Sequence, residues 1–308
     1  MAKRNKKKKG VVLALANQKG GVGKSVSSTN LACAFASLGK KVLLVDVDFQ
    51  GNASSQLGIL DQAEDLDKTI TYGLFNDKPI NEFWLKTQFE NVFAIAADQD
   101  FVEFPVKFSS NAIAGAHDIL NSWIEPARYE FDIIILDTHP SVDLTFQNAM
   151  VAADYYILPL FSEAESLRGM HIMFKYVRRI KEKLKPTLHI LGCFVTKYDK
   201  SIPSHRRFLS TINGWMEKYN MPVIGVIPFS KSFPGASEAQ TPLTYGNPTL
   251  PVSVAYVELA KKLSDKLVLN KRGRTPNTPE IYKEDIKKIT KHIKQTTSDI
   301  LIEEAPLI

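Results

Sequence analysis

"NQKGGVGKSVSS", residues 17 to 28, places Gly20, Gly21 and Gly23, with Lys19 and Lys24, directly behind the apolar run "VVLALAN". Glycines alone imply only a turn, because glycine visits backbone conformations that other residues avoid. The alternative is a phosphate cradle, in which backbone N–H groups wrap an anion, a lysine meets the terminal phosphates and a hydroxyl holds Mg²⁺. Context decides between them. A strand at 11 to 17, a loop at 18 to 23 and a helix opening at Lys24 and Ser25 put this stretch where a phosphate loop belongs. One departure from GxxxxGK[ST] stands out: Gln18 occupies the first glycine position, and Lys19 precedes the glycines.

Working outward, short β-branched runs recur at 41 to 48, 91 to 97, 131 to 137, 154 to 160, 189 to 196 and 221 to 227. Most lack polar alternation, as expected of strands covered on both faces. Helical periodicity lies between them, at 24 to 38, 110 to 123, 143 to 152, 165 to 184, 204 to 218 and 252 to 268. The expected fold is α/β, a doubly wound, mostly parallel sheet flanked by helices. Residues 1 to 10 read as a basic tail and 11 to 268 as the nucleotide domain. Residues 269 to 308 read as a linker, a polar helix at 279 to 297 and an acidic tail.

The net charge of +6 is local. Six of the 39 basic residues fall in the first ten positions, which hold no acid, and the rest of the chain carries 33 of each sign. A nucleic-acid surface would therefore need clustering on one face, helped by the tail. Cys33 and Cys193 sit in apolar runs without ligand spacing, and no apolar stretch reaches the length of a membrane span. The expected location is the cytoplasm.

"KGGVGKS" resembles the deviant Walker A motif of the ParA/MinD ATPases. The resemblance implies a Mg²⁺-dependent ATPase, turning ATP into ADP and phosphate, slow without a partner. Gly20, Gly21, Val22, Gly23, Lys24, Ser25 and Val26 would hold the phosphates, and Lys19 would reach the nucleotide of the second subunit in an ATP-sandwiched homodimer. "VLLVDVDFQGNAS" (42 to 54) resembles the family's DxDPQGN box, with Phe49 where proline is usual. It implies that Asp48 organises the attacking water and also serves Mg²⁺, and that Asp46 lies beside the metal region. "FDIIILDTHPS" (131 to 141) resembles the Walker B strand and implies that Asp137 and Ser25 serve Mg²⁺; His139 stands where the family commonly has proline and is assigned no role. "ADYYILPLFSEAESLRGM" and the segment 226 to 263 extend the resemblance over residues 11 to 268. Thr196, Ile227 and Pro228 would flank the adenine, although Thr196 and Asp199 could equally cap a helix.

Within the family, ParA-like members bind DNA and MinD-like members bind membrane. "QGNAS" after Asp48 favours ParA. That branch implies non-specific double-stranded DNA as a partner, nucleoid association and release by a ParB-like centromere-binding protein. Candidate DNA contacts are Lys197, Lys200, Arg206, Arg207 and Lys231, whose plain alternative is a solvated surface. Against ParA, "DIKKITKHIKQT" (285 to 296) sets Ile286, Ile289 and Ile293 on one face among lysines, as a membrane-surface helix would. It lacks aromatic anchors and an acidic tail follows, so packing or docking is the preferred reading. Ten residues before the first strand leave no room for a helix-turn-helix, so sequence-specific operator binding is not expected. ATPases that position other cargo, metal-cluster carriers and a purely structural nucleotide module complete the alternatives.

Overall fold

The computed structural model describes residues 9 to 109, 115 to 218 and 221 to 267. The basic tail to residue 8, the linker and the 279 to 297 helix lie outside them. Eight strands form one sheet: β1 (Val11–Leu15), β2 (Val42–Val47), β3 (Leu85–Lys86), β4 (Val92–Ile95), β5 (Ile133–Thr138), β6 (Tyr155–Phe161), β7 (His189–Tyr198) and β8 (Val223–Pro228). Their order is β3-β4-β2-β5-β1-β6-β7-β8, parallel throughout except for β3 against β4.

The missing polar alternation has its reason here. Along β1, Val12 and Ala14 enter one core, while Val11, Leu13 and Leu15 enter the other; Ile134 and Leu136 of β5 part in the same way from Ile133 and Ile135. The strands β1, β2 and β5 are buried along their whole length on both sides, so both parities are apolar.

From β1 the chain crosses to β2 in one direction along the sheet, through the helix Lys24–Ser37. From β5 onward it moves the other way, through the helices Leu144–Ala152, Glu165–Lys183 and Pro203–Lys218. Right-handed crossovers then put the two sets on opposite faces, as the two cores record. The final helix Pro251–Lys266 returns to the first face, where Tyr256 Oη lies 2.9 Å from Ser27 Oγ. Strand order reverses beside β1, and open α/β sheets take their ligands at the carboxyl ends of the strands at such a reversal.

One expected helix is shorter than its pattern. Residues 110 to 114 lie outside the described residues, a turn follows with Gly115 at φ 99°, and the helix begins only at Ile119, ending at Ile124. Asp118 draws Asn121 and Ser122 onto its carboxylate there, a local competitor to an earlier helix. The antiparallel edge strand β3 is two residues long, too short to carry a periodic signal.

Candidate functional site

The loop after β1 is built from both sides. Asn17 donates to Pro159 O on β6 (2.7 Å) and accepts from Lys19 N (2.9 Å), so it anchors the loop's entry to the neighbouring strand. Gly21 and Gly23 stand at φ 71° and 83°, conformations that side chains disfavour. A Cβ added at Gly20, Gly21 or Gly23 would meet nothing within 4 Å, so these glycines border open space. The N–H groups of Gly20, Gly21, Val22 and Gly23 have no acceptor among the described residues, whereas Gly23 O accepts Ser27 N as the helix starts. Val26, in its first turn, is half-buried.

Register brings the carboxylates together. Asp46 on β2 sits directly opposite Asp137 on β5, at the strands' carboxyl ends. Asp46 is fully satisfied: Oδ2 accepts Ser54 N (2.9 Å) and Ser54 Oγ (2.7 Å), and Oδ1 accepts Asp48 N (3.2 Å). Burial, and next the charge of Asp137, pushes its carboxyl up. Asp137 accepts Ser28 Oγ on Oδ1 (2.8 Å), while its buried Oδ2 has no hydrogen-bond partner among the described residues, with the Ser25 hydroxyl nearby. Burial raises this carboxyl to about 6, against the pull of the nearby hydroxyls of Ser25 and Ser28 and of the Lys24 charge.

Lys24 is 7% exposed and makes no hydrogen bond or ion pair with any described residue. Desolvation lowers its pKa, and the charges of Asp137 and Asp48 act the other way. A buried ammonium without a direct partner, facing a buried carboxylate oxygen without one, costs folding energy that an anion and a cation bound together would recover.

Asp48 is buried at the end of β2, and its Oδ1 accepts Gln50 N (3.0 Å) while Gly51 N bonds Asp48 O (2.9 Å). The β-turn that the proline of DxDPQGN would favour therefore forms with Phe49 in that place, held by the aspartate side chain and by Gly51 at φ 61°. Phe49 and His139 pack on each other with centroids 6.1 Å apart, and His139 Nε2 lies 2.9 Å from Asp143 Oδ2. The two departures from the family pattern are thus neighbours.

The remaining predicted residues fall in two places. Lys19 lies at the exposed edge, its ammonium 2.9 Å from Glu163 and 3.5 Å from Glu165 of the same chain. Thr196, at the end of β7, caps no helix: its Oγ1 lies 2.8 Å from Val22 O and 3.1 Å from Leu160 O. Ile227 is buried in the core, and Pro228 pairs with Tyr198 at the end of β8. Asp199 turns its carboxylate to Ser201 N and Oγ. Lys200, Arg206, Arg207 and Lys231 are exposed near the ends of β7 and β8, Arg206 folding back onto Lys200 O (2.6 Å). Lys197 instead donates to Gly21 O (2.8 Å), within the loop itself.

A model of the AAA domain family matches residues 10 to 190, more than half of the chain. The chromosome partitioning protein ParA of Myxococcus xanthus is 33% identical over 215 residues, covering 70% of this chain and 75% of that one. The sporulation initiation inhibitor protein Soj of Bacillus subtilis is 33% identical, over 62% of this chain and 74% of its own. The chain belongs to the ParA/Soj family of P-loop ATPases. Its fold also matches that of the cobyrinic acid a,c-diamide synthase of Mycobacterium smegmatis, solved with bound ADP and magnesium (TM-score 0.69, 27% identity, 82% of this chain and 94% of that chain).

As a ParA/Soj-family site, the cluster fits a nucleotide and Mg²⁺ by its chemistry. Four loop N–H groups and Lys24 suit phosphate oxygens, and Asp137 Oδ2 with the Ser25 hydroxyl suits a hard cation that takes one or two protein oxygens beside phosphates. Motif reading missed the supporting residues: Ser28 on Asp137, Ser54 on Asp46, and Glu163 and Glu165 on Lys19. Ser28 had a signal, one helical turn beyond Lys24 and Ser25.

Proposed function

We propose that the chain is a partition ATPase whose ATP-bound homodimer holds DNA without sequence preference and lets go when a ParB-like partner stimulates hydrolysis. Lys19 carries this reading beyond a generic nucleotide site. A second lysine at the exposed rim, ion-paired with Glu163 and Glu165 of its own chain, is placed to exchange those carboxylates for the phosphates of a nucleotide in a second copy.

Lys24 and the loop N–H groups hold the β- and γ-phosphates of ATP and stabilise charge on the transferring phosphoryl group. Asp137 and Ser25 hold Mg²⁺, which when bound neutralises phosphate charge. Asp48, held by its turn, orients the attacking water. Thr196, Ile227 and Pro228 mark the adenine end. Lys200, Arg206, Arg207 and Lys231 supply DNA phosphate contacts. The cluster-carrier alternative asks for accessible thiols, whereas Cys33 and Cys193 are buried in different halves of the core.

The test is binding to non-specific duplex DNA and to anionic liposomes with ATP, ADP or no nucleotide, across a salt titration. ATP-dependent, salt-sensitive DNA binding without liposome binding supports the reading, and the salt slope counts phosphate contacts. Liposome binding that vanishes on removing residues 279 to 308 moves the protein to the MinD side. No helix among the described residues is long and apolar enough to cross a membrane.

A further inference from the structure

We infer that Thr196 and Lys197 form a clamp that sets the phosphate loop, and that Lys197 is a positioning residue of the nucleotide site. The inference rests on the nucleotide-binding reading above.

Two consecutive residues at the end of β7 hold two consecutive carbonyls of the loop. Thr196 Oγ1 lies 2.8 Å from Val22 O, and Lys197 Nζ lies 2.8 Å from Gly21 O. A trans peptide is planar, so its C=O and the following N–H point in opposite directions; the described residues contain no cis bond. Holding Gly21 O toward β7 turns the Val22 N–H away from β7, and holding Val22 O does the same for the Gly23 N–H. These are two of the four N–H groups without an acceptor. The clamp thereby aims donors that a glycine-rich loop would otherwise let rotate.

The backbone of Lys197 supports a role beyond surface charge. It stands at φ 51°, a left-handed conformation uncommon for lysine. Such geometry persists where surroundings impose it, and it gathers at ligand sites. Its ammonium also lies 5.2 Å from the centre of the Phe161 ring, with Lys19 on the same ring at 6.0 Å. Both lysines thus share one aromatic platform beside the loop, and Lys197 is the one turned to the loop backbone.

The test uses the full chain. Lys197→Met keeps the stem and removes the cation, Lys197→Arg keeps the cation, and Thr196→Val and Thr196→Ser do the same for the hydroxyl. The readouts are Kd for Mg·ADP, Kd for adenosine by competition, KM and kcat for ATP, and the salt slope of DNA binding at saturating ATP. For Lys197→Met the expected result is about tenfold weaker ADP binding and a similar rise in KM, from loss of a charge-assisted hydrogen bond. Adenosine, which has no phosphate, should bind as before, kcat at saturation should stay within about twofold, and the arginine and serine variants should recover most of the loss. Unchanged ADP affinity in both Lys197→Met and Thr196→Val would overturn the clamp, as would a loss in Lys197→Met shared equally by adenosine. A shallower salt slope with intact ADP affinity would overturn it in favour of Lys197 as a DNA contact. If the unmodified protein binds adenosine but gains nothing from the phosphates, the nucleotide reading itself falls, and the clamp with it.

Discussion

Replacing Asp137 by asparagine should remove a pH dependence from the stability of the nucleotide-free protein. Burial raises the Asp137 carboxyl from 3.8 to about 6. The folded chain therefore holds that proton more tightly than the unfolded chain, so the stabilisation is complete below pH 3.8 and is lost as pH rises through 6. That gap corresponds to ~3 kcal/mol, at ~1.36 kcal/mol per pH unit. The Ser25 and Ser28 hydroxyls and the Lys24 charge pull the other way, and Asp46 and Asp48 are the other charges near the group. The introduced asparagine keeps an acceptor for Ser28 and carries no charge, and it relieves the raised carboxyl of Asp46. Urea unfolding in EDTA, followed by circular dichroism from about pH 4 to about pH 7.5, should show the wild type losing about 2 kcal/mol more than the variant, since part of the gap is already lost at pH 4. Mg²⁺ added with ADP should stabilise the wild type beyond ADP alone and leave the variant at the ADP level. Parallel stability curves for the two proteins would refute the argument, because they would mean that the buried oxygen carries no electrostatic cost.

Lys24→Ala should weaken ATP binding by about a hundredfold or more, yet leave the urea midpoint of the nucleotide-free protein equal or higher, since a desolvated ammonium without a direct partner is removed. A lower midpoint would contradict that. Lys19→Ala loses a partly exposed ion pair worth less than about 1 kcal/mol, so folding and nucleotide affinity should persist while the ATP-dependent dimer disappears in size-exclusion chromatography; a normal dimer with normal turnover would end the cross-subunit role. Asp48→Ala should bind ATP and stay on DNA without turnover, and prompt release from DNA after ATP loading would count against its water-positioning role. Gly192→Ala places a Cβ 2.2 Å from Pro222 O at φ 124°, so β7 and β8 must separate locally at a cost of about 3 kcal/mol in denaturant unfolding, and a change under about 1 kcal/mol would show that the strands yield.

Much of the site was legible because it is local. Residues 18 to 25 carry the strand-to-helix junction, the glycines and both lysines within one loop, and each aspartate ends its own apolar run. What joins those pieces is not local. Asp46 and Asp137 lie far apart in the chain and meet through strand register. Lys19 meets Glu163 across 144 positions, and Lys197 meets Gly21 across 176. Even the missing proline of the DxDPQGN box reads differently once Phe49 is seen packed on His139.

By itself, the amino-acid sequence determined the class of fold and the phosphate loop. Continuous β-branched runs can be buried only inside a two-sided sheet, and only glycine takes the loop's left-handed turns without strain. The tertiary structure alone decided which lysine serves the loop, which carboxylate oxygen is left unpaired, and that Asp46 is held by Ser54. Those outcomes depend on which strand ends lie side by side, and strand order is set by packing the helices on two faces, a cooperative choice that no short window of residues contains.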